Sequence, residues 1–195
     1  TNADLSKVPS NFQSVKAGNT NIRFVLSKVV RKVTTKTSWT TNDAVKKSTG
    51  ITPTTPTTSL NIWVCNLSGG ILGYAQFPGG ASATDGVVID DNAFGTTGTV
   101  SAPFNKGRTA THEIGHWLNL RHIWGDANCG NDQVSDTPLH NTANYGCPAA
   151  GHLSSCTGKP VEMTMNYMDY SDDACMYMFS AGQKTRMLAS FATGG

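Results

Sequence analysis

From Thr111 to His122 the chain reads Thr-His-Glu-Ile-Gly-His-Trp-Leu-Asn-Leu-Arg-His, and no other stretch limits its fold as tightly. On an α-helix, residues four apart project from one face a turn apart, so His112 and His116 can share a metal ion with Glu113 beside them. A straight helix would carry His122 about 9 Å further along its axis, beyond reach of that pair. The helix must therefore stop between the second and third histidines. Asn119 is where it can turn, because asparagine tolerates positive φ better than other residues with a side chain. Three imidazoles leaving one coordination position open, with a carboxylate alongside to act as general base, are the parts of a catalytic zinc site.

The 195 residues suffice for one domain with a full core, 1–195, divided by a cleft into two lobes. Residues 1–122 would form an N-terminal lobe with a sheet and the metal-binding helix, and 123–195 a C-terminal lobe. No run approaches 18 apolar residues, so no membrane span is expected, and no signal peptide is visible. The chain begins at Thr1 rather than methionine, which reads as a processed form, with an N-terminal propeptide removed on maturation. The net charge of +2 hides an asymmetry: residues 1–60 carry nine Lys or Arg against Asp4 and Asp43. Those cations are dispersed among Thr and Val with little aromatic interleaving, which reads as a solvated face and not a nucleic-acid surface.

Four of the five cysteines, Cys129, Cys147, Cys156 and Cys175, lie in the C-terminal third, in sequence without regular periodicity. Two disulfides would staple such a region and imply an oxidising, extracellular compartment. Spacing leaves the three possible pairings open. A second zinc site from Cys147, His152, Cys156 and His140 is the rival reading, weakened by the lack of a C-x-x-C pair. Cys65 reads as a buried free thiol.

Alternation over Ile22–Val30 predicts a first strand, with an irregular second one over Val33–Trp39. Thr41-Asn42-Asp43 starts a short helix over Ala44–Lys47. Residues 51–59, rich in Thr and Pro, form an extended loop. Leu60–Asn66 reads as a buried strand, Ile71–Phe77 as a second that is either an ordinary inner strand or one at the sheet edge able to pair with an extended peptide, and Val87–Ile89 as a third. On the metal-binding helix, Ile114, Trp117 and Leu118 should face the sheet. After His122, Gly125 to Pro138 is dense in oxygen donors, the ligand type calcium takes, although a plain hydrophilic loop also explains it. Ser180-Ala181-Gly182-Gln183 resembles a capping box ahead of a final helix whose Met187, Leu188 and Phe191 would pack inward.

About forty residues beyond the histidines stands Met165-Asn166-Tyr167-Met168-Asp169-Tyr170. With the histidine motif, the 125–138 segment and the four spaced cysteines, this methionine turn resembles the pappalysin family of metzincin metalloproteases. The resemblance covers roughly residues 60–190. It implies an α+β fold: a twisted mixed β-sheet with a backing helix and the active-site helix in the N-terminal lobe, and a loop-rich disulfide-bonded C-terminal lobe ending in a helix. It also implies that Met168 underlies the zinc and that Tyr170 contacts the tetrahedral intermediate. Further implications are Cys129–Cys156 and Cys147–Cys175 disulfides, and structural calcium at Asp132, Val134, Asp136 and Thr137. The motif has glycine where this chain has Asn119. Arginine-preferring members carry an acid just before the last cysteine, where Ala174 stands here, leaving Asp172 or Asp173 to substitute. The function expected is a secreted zinc endopeptidase acting on polypeptide, with Glu113 as general base. The alternative is a zinc-containing binding or adhesion module with vestigial catalysis, for which Glu113 would have no use.

Overall fold

The computed structural model describes residues 3–192. Three short strands, β1 (Ile62–Cys65), β2 (Gly73–Ala75) and β3 (Val87–Asp90), form a mixed sheet in the order β1-β3-β2. β3 lies between a parallel β1 and an antiparallel β2, and its Val87, Val88 and Ile89 are fully buried. A continuous β-branched run is what a strand covered on both faces requires. The helix α1 (Arg108–Trp117) packs across β2 and β3, and α2 (Ala181–Ala192) closes the described chain.

The other sheet face buries Trp63 and Val88 against Trp39, Val45 and Leu67. Among the described residues no α-helix backs this face, contrary to expectation. A 3-10 turn, Ala44–Lys46, stands there instead, and the buried Lys46 ammonium donates to the Thr84 carbonyl at 2.8 Å while lying over the Tyr74 ring. Nor is Ile22–Val30 a strand. Phe24, Val25 and Leu26 are exposed, and only Trp39 of the following segment joins the sheet, through a single bridge to Leu67. Alternation gives a strand only where a ladder partner and a covering surface exist; among the described residues no strand pairs with the segment, and within it Ile22 alone is part-buried, against the core around Met168. β1 is likewise only half covered, with Ile62 and Val64 exposed.

A second core gathers five of the six methionines, Met163, Met165, Met178 and Met187 packing with Leu118, Leu120, Ile123 and Trp124 around the fully buried Met168. Val8 and Phe12 belong to it, and Ala17 donates to Phe179, so the first residues pack with the C-terminal part and not with the sheet. Ile114, Trp117 and Leu118 also point into this core, correcting their assignment to the sheet; only the Trp117 indole reaches sheetward, donating to Asp85 at 3.0 Å. In α2 Met187 is buried, whereas Leu188 and Phe191 are exposed. The helix start is as its residues suggest: Gln183 N–H donates to Ser180 Oγ, and Ser180 N–H to Gln183 Oε1. Disulfides join Cys129 to Cys156 and Cys147 to Cys175, which removes the thiolates that a second zinc site would need.

Candidate metal centre and catalytic cleft

α1 ends in the manner the histidine spacing demands. Asn119 takes φ 71°, its N–H donates to His116 O, and Leu120 N–H reaches back to Gly115 O. These are the two hydrogen bonds of a Schellman turn. Arg186 of α2 donates through Nε to Asn119 O at 2.6 Å, holding the turn from outside. The chain then doubles back and delivers His122 to the other two ligand candidates.

The ligand atoms of His112, His116 and His122 all lie within 4.8 Å of one another. His116 Nε2 is 3.0 Å from that of His112 and 3.1 Å from that of His122. The opposite nitrogens are each engaged: His112 Nδ1 with Tyr167 O at 2.7 Å, His116 Nδ1 with Leu120 O at 2.8 Å, and His122 Nδ1 with the Asp126 carboxylate. A carbonyl can only accept, so the protons sit on Nδ1 and the Nε2 lone pairs face inward. Three lone pairs this close repel unless they share a cation. A tetrahedral zinc with bonds of about 2.0–2.1 Å sets its nitrogens about 3.3 Å apart, close to the spacing found. Burial depresses the basicity of two rings, holding His112 well below the usual histidine range and His116 near pKa 4, so both stay neutral donors.

Glu113 is buried on α1 facing β2, and burial lifts its carboxyl to a pKa of about 8. A β-carbon at Gly73 would sit 2.9 Å from both Glu113 Cγ and Oε1, so the edge strand carries glycine where the acid needs room. Below α1, a β-carbon at Gly115 would be 2.5 Å from Met168 Sδ, which places the methionine turn directly under the histidine pair. Tyr170 lies beside the ligands, its ring centroid 4.9 Å from that of His122 and 5.6 Å from that of His112. Burial, with Glu113 next in effect, pushes its hydroxyl up to about 12, so it remains a proton donor. Tyr167 is instead buried, against Phe179 and the Arg108 guanidinium.

The cleft beside these groups has a volume of about 360 Å³ and is lined by Ile71, Leu72, Gly73, Tyr145, Tyr170 and Asp173 among others. β2 is an edge strand of the sheet, as a strand-pairing site must be.

Two participants were not legible as such from the chain. Asp126 reads as one acid in a cluster, yet it orients His122; the only hint is a carboxylate four residues beyond the last ligand. Trp124 stacks on His122 at 4.3 Å with the planes 6° apart, and nothing in the sequence separates it from a core aromatic.

The calcium candidates divide. Asp132 accepts from Val134 N–H and Thr137 Oγ1, and Thr137 Oγ1 also lies 2.8 Å from Val134 O, so these three share one loop. Asp136 turns away to α2, accepting from Ser180 Oγ and Gly182 N–H. Its carboxylate caps a helix.

The model of the peptidase M43 family, described as pregnancy-associated plasma protein-A, matches residues 54–192. The chain belongs to the M43 family. A 44% identical relative, an extracellular metalloprotease of Pyricularia oryzae, aligns over 140 residues, 68% of this chain and 48% of that protein. Extracellular metalloprotease 1 of Coccidioides posadasii is 41% identical over 134 residues, 66% of this chain and 48% of the other. The M43 chain thus spans about half the length of the curated relatives it matches. Among solved structures, mirolysin in complex with compound 9 superposes with a TM-score of 0.92 at 44% identity, covering 98% of this chain and 78% of that one. Mature mirolysin of Tannerella forsythia in complex with a cleaved peptide gives 0.89 at 43%, over 95% and 76%. A T. forsythia promirolysin mutant gives 0.91 at 42%, over 99% and 70%. The fold is therefore the α+β metzincin fold, and the M43 family together with the histidine triad implies zinc. No helix among the described residues is long and apolar enough to cross a membrane.

Proposed function

We propose that this chain forms one catalytic unit of a secreted zinc endopeptidase that cleaves extended polypeptide. The observation that carries the reading is the meeting of three inward-facing imidazoles, Glu113 and Tyr170 at a cleft bordered by an edge strand. His112, His116 and His122 hold the zinc, which when bound supplies a Lewis acid that polarises the scissile carbonyl and acidifies water. Glu113 takes the proton of the attacking water and passes it to the leaving amine. Tyr170 donates to the oxyanion, a contact whose loss costs on the order of 3 kcal/mol in comparable sites. β2 pairs with the substrate backbone, and Met168 and Asp126 keep the ligands in place.

Structural calcium at Asp132, Val134 and Thr137 is part of the proposal; the capping role of Asp136 leaves its carboxylate out of the ligand set. Of the acids able to replace an acid at Ala174, Asp173 lines the cleft, with one oxygen accepting from Lys106 and Arg108 N–H. A propeptide that covers the cleft before maturation is supported by the promirolysin relative. The extracellular names of the fungal relatives support secretion.

The experiment is digestion of an unfolded polypeptide such as casein by the wild type and by Glu113→Ala. The variant should lose activity by at least about 10²-fold while keeping its circular dichroism and its zinc. Proteolysis at the wild-type rate by a folded Glu113→Ala would refute the mechanism.

A further inference from the structure

We propose that Tyr145 is a specificity-determining residue, an aromatic wall against which the substrate side chain entering the cleft packs. The assignment rests on the peptidase reading above and deepens it.

Tyr145 is 73% exposed, an unusual place for an aromatic ring. It nevertheless lines the same cavity as Glu113, His112, Ile71 and Leu72, and its ring centroid is 6.0 Å from that of Tyr170. The backbone on either side of it is held at successive positions. Asn144 N–H donates to Asp169 Oδ1 at 2.8 Å, Asp172 N–H donates to Gly146 O at 2.8 Å, and Cys147 is bonded to Cys175.

The first of these anchors is itself embedded. Asn144 Nδ2 donates to Glu162 Oε2 at 2.7 Å and to Asp169 Oδ2 at 2.9 Å, and both carboxylates are buried. Met163 N–H donates to Nε2 of the fully buried His140, which puts that ring's proton on Nδ1, between Asp169 at 3.5 Å and Glu162 at 3.7 Å. A buried network of this extent, joined by a disulfide, fixes a loop whose exposed product is one tyrosine. Rigid aromatics at a cleft rim give contact area at little entropic cost on binding, because few torsions remain to be frozen. The ring face suits a flat or broad side chain, a guanidinium by stacking or an apolar group by contact. A cationic group lying on it would have the Asp173 carboxylate in the same cleft.

The test uses two series of peptides varied at the residues on either side of the scissile bond, with Ala, Leu, Phe and Arg at each. kcat/KM is measured for the wild type, Tyr145→Phe and Tyr145→Ala, with zinc content and thermal midpoint checked for each. In one series the wild type should prefer the large side chains over Ala by at least about fivefold. Tyr145→Phe should keep that ratio. Tyr145→Ala should bring it within twofold, the loss appearing as a raised KM for the large side chains. A ratio that survives in Tyr145→Ala, or a fall in kcat equal across the series, would overturn the assignment, the second outcome making Tyr145 a support for Tyr170 only. A wild type that cleaves no peptide in either series would instead defeat the peptidase reading, and this assignment with it.

Discussion

At the scale of single residues the site is held by what is absent as much as by what is present. Gly115 lets Met168 rise against α1, and Gly73 lets Glu113 lie against β2. Gly115→Ala should destabilise the protein by about 1–3 kcal/mol, read from denaturant midpoints at unchanged slope, because the sulfur must leave its seat. Glu113 gives a pH prediction. Its carboxyl is raised by burial to about 8 in the metal-free fold, so ionising it opposes folding, and the penalty grows as pH climbs from the unfolded value near 4.3 toward 8. Below that window both states are protonated and no penalty exists. Metal-free Glu113→Gln should therefore have a higher thermal midpoint than the metal-free wild type at pH 8 and the same one at pH 4. Equal midpoints at pH 8 would mean that the acid is solvated. The zinc candidates and Glu113 were readable because their chemistry is written in one helical register and one turn residue. Asp126 and Tyr145 were not, because their partners come from loop geometry that no periodicity encodes.

At the scale of elements, local signals succeeded where the structure satisfies them locally. The capping box of α2 closes on itself through Ser180 and Gln183, and the α1 terminus closes through Asn119. Gln183 does more than cap: its amide also exchanges two hydrogen bonds with Asn166, at 2.8 and 3.0 Å, just before Met168. Ser180→Ala should cost about 1 kcal/mol, the usual loss at a cap. Gln183→Ala should cost more, about 2–4 kcal/mol, since it leaves the fully buried Asn166 amide without those partners. A ranking in the opposite order on urea unfolding would show that the link to the methionine turn is weak. The same local reading failed for Ile22–Val30, whose alternation finds no neighbouring strand among the described residues, and for Leu188 and Phe191, whose helical spacing leaves them exposed. Strands and faces are properties of pairs of elements, and one segment states only half of each.

For the molecule as a whole, the unit of function is the convergence of the two packed regions. The sheet with α1 supplies two histidines, Glu113 and the edge strand; the methionine core supplies the turn beneath the histidine pair, and Tyr170 stands beside them. His122 sits on the connection between them. The family resemblance, carried by two motifs and four cysteines, reached this arrangement; spacing alone left the disulfide pairing open. It did not reach the covering of the sheet's other face, where a 3-10 turn and Trp39 replace the expected helix. Zinc is the link on which everything else depends, and restoration of activity to metal-stripped protein tests it most directly. Protein stripped by chelation should cleave nothing, and cleavage should return in proportion to added zinc with a break at a single equivalent. Full activity after stripping, or stoichiometric zinc binding that restores no cleavage, would contradict the account.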